Sequence, residues 1–219
     1  MVVNRSSNVT TMTQAMPSQP RKLPSQQRSR ERVERILAVA GDLIAERGSD
    51  AVKMSDIADG AGVSIGSLYQ YFPDKGAVIR TLAERYNQIG RECVERIMVD
   101  VASLDGLAEA LKVVVDEYYG MFQDYPATRD IWSATLADKA LRDIDAEDTR
   151  AHAAFLEKVL RKVGVEGDGT ELTSYALLVM YLLCATVRLA ITLPDDEARR
   201  VLDGYKVMAA RDLLAKFAA

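Results

Sequence analysis

Between Arg28 and Arg47 apolar residues recur every three or four positions: Val33, Ile36, Leu37, Ala40, Leu43 and Ile44. That is the period of one helical face, and it predicts a helix over 28–47 with Gly48 just past its end. A shorter pattern predicts a second helix over about 54–61, with Ile57, Ala58 and Ala61 as its inward edge. Gly62 turns the chain, Ser64 is a good N-cap for a third helix, and Pro73 stops it. Asp74 caps a fourth, whose stripe from Val78 through Leu82, Tyr86, Ile89, Cys93 and Ile97 to Val101 runs on to about Ala102. At 1.5 Å per residue that is a rod of roughly 40 Å. Leu104-Asp105-Gly106 reads as a break. Further helices follow over about 106–123, 127–140, 146–163, 170–193 and 195–217, punctuated by Pro126, by Gly164, Gly167 and Gly169, and by Pro194. No segment of any length alternates with period two, so the expected fold is all-α.

Two of these helices carry more apolar surface than one core face needs. Tyr175–Leu193 is 19 residues with one charge, Arg188. Its length is near that of a membrane span, but a helix apolar all round can instead be buried on every side. We expect the second: one face against the core, the other against a second copy of the chain. The 195–217 helix presents Val201, Leu202, Tyr205, Met208 and Leu213 at helical spacing and is its expected partner in a dimer interface. No membrane association is expected.

The third helix is the unusual one. "GVSIGSLYQYFP", Gly62–Pro73, is short, polar and without charge in a chain rich in charge. With 54–61 before it and 28–47 beneath, it has the form of the second helix of a helix–turn–helix, the element such units set in the DNA major groove. Leu68 and Phe72, four apart, would point inward. Ser64, Ile65, Gly66, Ser67 and Gln70 are left outward. Short side chains let the backbone approach base edges, Gln70 can pair with adenine, and Ser67 can donate or accept. Tyr69 and Tyr71 flank this face within reach of phosphates, as does Lys75 at the next helix start.

"KMSDIADGAGVSIGSLYQYFPDK" resembles the helix–turn–helix of TetR-family transcriptional regulators. The resemblance is carried by Ile57-Ala58, Ala61-Gly62-Val63-Ser64, Ser67-Leu68-Tyr69, Tyr71-Phe72 and Lys75. It covers residues 28–80; beyond them only length and helix order agree. It implies a homodimer on a palindromic double-stranded DNA operator, a C-terminal helical ligand-binding and dimerisation domain, and repression relieved by a small hydrophobic or amphipathic molecule. By position, Ser64, Ile65, Gly66, Ser67 and Gln70 fall where the family reads bases or nearby backbone, and Tyr69, Tyr71 and Lys75 at its phosphate contacts. Lys53 and Ser55, at the start of the second helix, join the DNA-binding set. Lys53 stands where the family usually has a capping Thr, and Gly60 inside that helix costs up to ~1 kcal/mol relative to Ala. The implied division is a basic arm over 1–27, a DNA-binding domain over 28–74 and a ligand-binding and dimerisation domain over 75–219.

Charge fits this division. Residues 1–80 hold 11 Lys/Arg and 8 Asp/Glu, a net of +3, against 17 and 24 in 81–219, a net of −7. The arm is rich in Ser, Thr, Gln and Pro and reads as disordered, either a solvated tail or an arm that reaches phosphates or a minor groove. It has no apolar core segment of a secretory signal. Cys93 and Cys184 lie far apart and His152 is the single histidine, so no metal site, zinc cluster, disulfide framework or cofactor is expected, and a reducing cytoplasm fits.

Effector candidates are the aromatic and placed polar residues of 107–190: Tyr118, Tyr119, Phe122, Trp132, Phe155, Tyr181, Cys184 and Arg188. Each is also an ordinary core residue. Arg188 needs a carboxylate, with Asp130 and Asp138 as internal candidates, or an anionic group on the ligand. His152 is expected to be exposed or half-buried, with no chemistry. Two rivals stand beside the regulator reading. One is a small helical enzyme, for which the chain offers no nucleophile elbow, phosphate loop or metal spacing. The other is a DNA-binding protein governed by a protein partner instead of a ligand.

Overall fold

The computed structural model describes residues 24–135 and 137–218, so the expected arm lies outside the described residues except for 24–27. Among the described residues every regular element is a helix: α1 (Pro24–Arg47), α2 (Met54–Ala61), α3 (Ile65–Tyr71), α4 (Lys75–Met98), α5 (Leu104–Asp124), α6 (Ala127–Ala134), α7 (Lys139–Lys162), α8 (Gly169–Ala190) and α9 (Asp195–Phe217). The apolar period located most of them, and capping side chains explain where it missed. α1 begins at Pro24 and not at Arg28: Gln26, Gln27 and Arg28 are exposed and carry no apolar stripe, and proline suits the first helical position. α4 stops at Met98, short of residue 102. Ser103 Oγ then accepts from the Gly106 N–H at 3.1 Å, so the expected break at Leu104-Asp105-Gly106 is the first turn of α5. The helix expected over 127–140 is two elements. α6 ends at Ala134, and Asp138 starts α7 by accepting from the Ala140 and Leu141 N–H groups at 2.7 and 3.1 Å.

The buried side chains fall into two cores. One is built from Ile36, Leu37, Ile44, Ile57, Leu68, Phe72, Val78, Leu82 and Tyr86, with Ala127 and Ile131 of α6 added from far along the chain. The other begins at Val94 and Met98 and takes in the inward faces of α5, α7, α8 and α9. The first half of α4 therefore belongs to the helix–turn–helix unit and its second half to the C-terminal body. α6 is also shared: Ile131 lies in the first core and Trp132 in the second, while Asp130 Oδ2 accepts from the Ser49 N–H at 2.9 Å.

α8 is long and apolar enough to cross a membrane, the one such helix among the described residues. Leu172, Ala176, Met180, Leu183 and Val187 face the core and are buried, while Leu178, Tyr181 and Leu189 on the other side are 56%, 58% and 51% exposed. Val207 and Met208 of α9 are similarly exposed. Within a protomer the two helices are held by packing and by Tyr205, whose hydroxyl donates to the Val179 carbonyl at 2.6 Å.

Candidate functional site

Local chemistry fixes how α3 is presented. At the end of α2, Gly62 takes φ +65°, a left-handed conformation that costs an L-residue with a Cβ, and this lets the Val63 N–H return to the Ala58 carbonyl at 3.0 Å. Ser64 follows in an extended conformation, and its Oγ accepts from the Ser67 N–H at 3.1 Å. Leu68 is fully buried and Phe72 nearly so, which pins one side of α3 to the first core. Ser64, Ile65, Gly66, Tyr69 and Gln70 are then exposed and Ser67 half-buried, as the spacing predicted. A Cβ built on Gly66 would meet nothing within 4 Å. Among the described residues no neighbour requires that glycine, so the face of α3 is open at this point.

The flanking residues differ more from expectation. Tyr71 is half-buried and its oxygen accepts from Ser29 Oγ of α1 at 3.2 Å; that bond, with Arg32 nearby, holds the phenol below its ordinary value. The Tyr71 hydroxyl hydrogen remains free to donate. Lys75 is committed within the protomer: Nζ donates to the Ser49 and Asp50 carbonyls at 2.7 and 3.1 Å, clipping the α1–α2 turn to the start of α4. At the N-terminus of α4, Asp74 caps the helix as expected, accepting from the Ala77 N–H at 2.6 Å. Lys53 makes no side-chain cap, as its chemistry requires. Asp56 supplies the reciprocal bond by accepting from the Lys53 N–H at 3.1 Å, and Ser55 Oγ leans on the same carboxylate at 3.4 Å. Both Lys53 and Ser55 are exposed beside α3's sequence neighbours. Gly60 is closely approached by α1. A Cβ there would stand 2.6 Å from Val39 Cγ1, so α2 crosses α1 more closely than alanine allows.

In the C-terminal body five of the eight effector candidates come together. The Trp132 ring lies 4.4 Å from Phe122 and 5.8 Å from Tyr118, centroid to centroid, and the Arg188 guanidinium sits 4.6 Å over Trp132. Cys184 adjoins Tyr118; burial pushes its thiol up to about 12, and burial likewise raises the Tyr118 phenol well above its ordinary value. Tyr119 and Phe155 pack at the edge of this core. Tyr181 does not join it, because it occupies the opposite face of α8 and points outward.

Arg188 does not pair with Asp130 or Asp138, whose carboxylates are taken by Ser49 and by the α7 cap. It pairs with Asp145 of α7. His152 also departs from expectation. It is 2% exposed, stands edge-on to Tyr118 at 6.1 Å, and has Nδ1 3.0 Å from the Asp148 carbonyl and 3.3 Å from its carboxylate. Asp148 in turn is bound by Arg91 of α4. The alanines around His152 gave no sign of this. The signal that could have found it was Asp148 four residues earlier, on the same helical face. Two small spaces touch the aromatic cluster. The cleft beside Tyr118 and Met121 has a volume of about 180 Å³ and the cavity beside His152 and Phe155 about 60 Å³. Sites for drug-sized ligands usually offer ≈ 300–1,000 Å³, so a large effector would have to displace rings.

Comparison with known proteins bears on both halves. Residues 36–82 match the family model described as bacterial regulatory proteins, tetR family, and residues 105–217 match a tetracyclin repressor-like C-terminal domain. The chain is 27% identical over 123 residues to the HTH-type transcriptional regulator EthR of Mycobacterium tuberculosis. That alignment covers 56% of this chain and 54% of EthR, so the chain spans about half the length of this relative. A crystal structure of a transcriptional regulator from Streptomyces coelicolor superposes with a TM-score of 0.66 at 24% identity, over 82% of this chain and 98% of that one. The complex of SmeT with triclosan superposes with a TM-score of 0.63 at 19% identity, over 85% and 91%. At these identities the structural matches show the fold, while the family models extend over the helix–turn–helix and most of the C-terminal body. The chain belongs to the TetR family of bacterial DNA-binding transcriptional regulators, which are not enzymes.

Proposed function

We propose that the protein is a ligand-responsive repressor that binds a palindromic operator as a homodimer and leaves it when a small hydrophobic or amphipathic effector binds. The observation that carries the reading is the outward face of α3, where Ser64, Ile65, Gly66, Tyr69 and Gln70 are exposed, uncharged and fixed by a cap and a buried Leu68. In this assignment Gln70 and Ser67 read bases, Gly66 allows close approach, and Tyr69, Tyr71, Lys53 and Ser55 meet the backbone. Residues 28–74 form the DNA-binding domain and 75–219 the effector and dimerisation domain, in the cytoplasm. The exposed apolar faces of α8 and α9 pair with the same faces of a second copy, as an isologous interface requires.

The effector acts by population shift. It favours a form of the dimer in which the two α3 helices no longer match the spacing of successive major-groove faces, and it can shift the equilibrium only by its difference in affinity for the two forms. α4 and α6 are the routes, since each has side chains in both cores. The test is selection of bound duplexes from a random DNA pool by the full-length protein. A palindrome with half-sites about one helical turn apart supports dimeric reading. Recovery of no common sequence at low salt rejects it. That triclosan occupies SmeT supports the expectation of an amphipathic effector here.

A further inference from the structure

A cleft of about 300 Å³ opens where the helix–turn–helix unit meets the C-terminal body. α1 forms one wall through Leu37, Gly41 and Ala45, α4 another through Leu82 and Tyr86, and the connection from α5 to α6 a third through Tyr125. None of the eight effector candidates of the aromatic cluster lines it. Its volume is at the lower end of what small-molecule sites offer, and a junction between two units is a common place for one.

Tyr86 is the group that asks for an occupant. It is 8% exposed, and its hydroxyl makes no hydrogen bond among the described residues. The Tyr175 hydroxyl is also unpartnered but sealed from solvent, whereas that of Tyr86 is not sealed. Gly41 fixes its direction. A Cβ there would stand 3.0 Å from the Tyr86 oxygen, so the hydroxyl lies at the α1 wall of the cleft that both residues line. Burial raises the phenol, so it stays protonated, and its oxygen keeps a lone pair for a donor. The Tyr86 and Tyr125 rings stand 5.5 Å apart, centroid to centroid, beside it. Charge narrows the choice. Arg85, the cation of the lining, is spent on Glu34 at 2.6 Å. Asp42 and Asp124 also line the cleft and are in no ion pair among the described residues. Asp42 lies near enough to Tyr86 to act on its phenol. Apolar walls call for a carbon body; the phenol oxygen calls for an N–H or O–H donor; tyrosine faces and carboxylates call for positive charge. An anion would meet none of the last three demands, and a hydrocarbon only the first.

We propose that this junction cleft binds a small aralkylammonium ion, an aromatic ring carrying a primary ammonium on a short chain. The ring packs against Leu37, Ala45 and Leu82, and the ammonium donates to the Tyr86 hydroxyl oxygen and lies beside Asp42 and Asp124. Because the walls come from α1 and α4 of the helix–turn–helix unit and from the end of α5 in the C-terminal body, an occupant would tie one to the other and change how α3 is presented. That second step rests on the repressor reading above; the binding step does not.

The test is calorimetric titration of the full-length protein, free of DNA, with 2-phenylethylamine, and with 2-phenylethanol and phenylacetate as its neutral and anionic counterparts. We expect saturable uptake of one amine per protomer, weaker binding of the alcohol and none of the acid. Tyr86→Phe should weaken the amine about fivefold, the worth of one hydrogen bond. Asp42→Asn combined with Asp124→Asn should weaken it about tenfold and leave the alcohol unchanged, since only the amine loses ion pairs. Both aspartates are exposed, and the Tyr86 oxygen bonds nothing among the described residues, so the variants keep the fold. Absence of saturable binding, equal affinity for the amine and the acid, or amine binding that both variants leave unchanged would overturn the site. An operator titration then separates the two steps. Amine that binds without altering operator affinity overturns the link to DNA and leaves the cleft standing. An operator released by another effector, by a protein that takes up no amine, overturns the cleft and leaves the repressor reading intact.

Discussion

α3 and α8 each present a face that none of the described residues covers, and the two faces have opposite chemistry. On α3 it is hydroxyl, amide and glycine; on α8 it is Leu178, Tyr181 and Leu189. Polar groups in water cost nothing while they wait, so the α3 face can stand open and engage DNA on demand. Apolar area costs about 25 cal/mol per Å² while it stays in water, so the α8 face would gain from being covered, as in the dimer proposed above. One surface is suited to a reversible partner and the other to a constitutive one. The two helices are also held differently. α3 is fixed by a cap at Ser64 and an anchor at Leu68, which leave its outer side chains free, whereas α8 is tied to α9 through Tyr205 and leaves Leu178, Tyr181 and Leu189 outward.

The strongest way to break the contrast is to charge the α8 face. Leu178→Glu combined with Tyr181→Glu should convert the proposed dimer to monomers in sedimentation, with little change in the helical signal by circular dichroism. Operator affinity should fall on the order of a hundredfold, since two linked half-sites become separate binding events. A dimer that survives both substitutions would place the constitutive interface elsewhere. The next effect concerns how α3 is supported. Gly60→Ala gains helix propensity but drives a methyl group to 2.6 Å from Val39, a stiff β-branched side chain. We expect a net destabilisation of about 1–3 kcal/mol in urea denaturation. A gain in stability would show that α1 and α2 move apart freely.

The helix–turn–helix was legible because its signals are local: an αL glycine at 62, a cap at 64, an anchor four residues on at 68 and a proline at 73. The apolar period also located the long helices. It failed at α5 and α7, where one capping side chain, Ser103 or Asp138, decides the start and the period says nothing. It failed altogether for the polar core, because pairs such as Arg91–Asp148 and Arg188–Asp145 join residues 57 and 43 positions apart. Tyr181 was misread for a related reason. A helix apolar on all sides does not say which side is inward, and only the buried run from Leu172 to Val187 settles it. Gly60 looked like a propensity cost because the crossing of α2 over α1 is not written in either helix alone.

On the α3 face itself, Gln70→Ala should leave the fold and the proposed dimer untouched, since the side chain is exposed and makes no hydrogen bond among the described residues. Competition binding against operator variants should then show discrimination relaxed at one base position by ~1–3 kcal/mol, with the other positions unchanged. Base preference left intact would mean that Gln70 does not read the groove.

The smallest effect separates two roles for one side chain. By sequence position Lys75 belongs with the phosphate contacts, yet its ammonium is already held by the Ser49 and Asp50 carbonyls. A side chain clipped in this way stabilises the turn beneath α3 and has little left for DNA. Lys75→Met keeps most of the apolar stem and removes both bonds, so it should lower stability by about 1 kcal/mol. If the clip is the whole role, the slope of operator affinity against salt should stay the same, because no phosphate loses a partner. A slope reduced by about one, with stability unchanged, would mean that Lys75 leaves the carbonyls for the DNA backbone on binding. Lys75 would then belong with the reversible surface of α3, not with the frame that holds it.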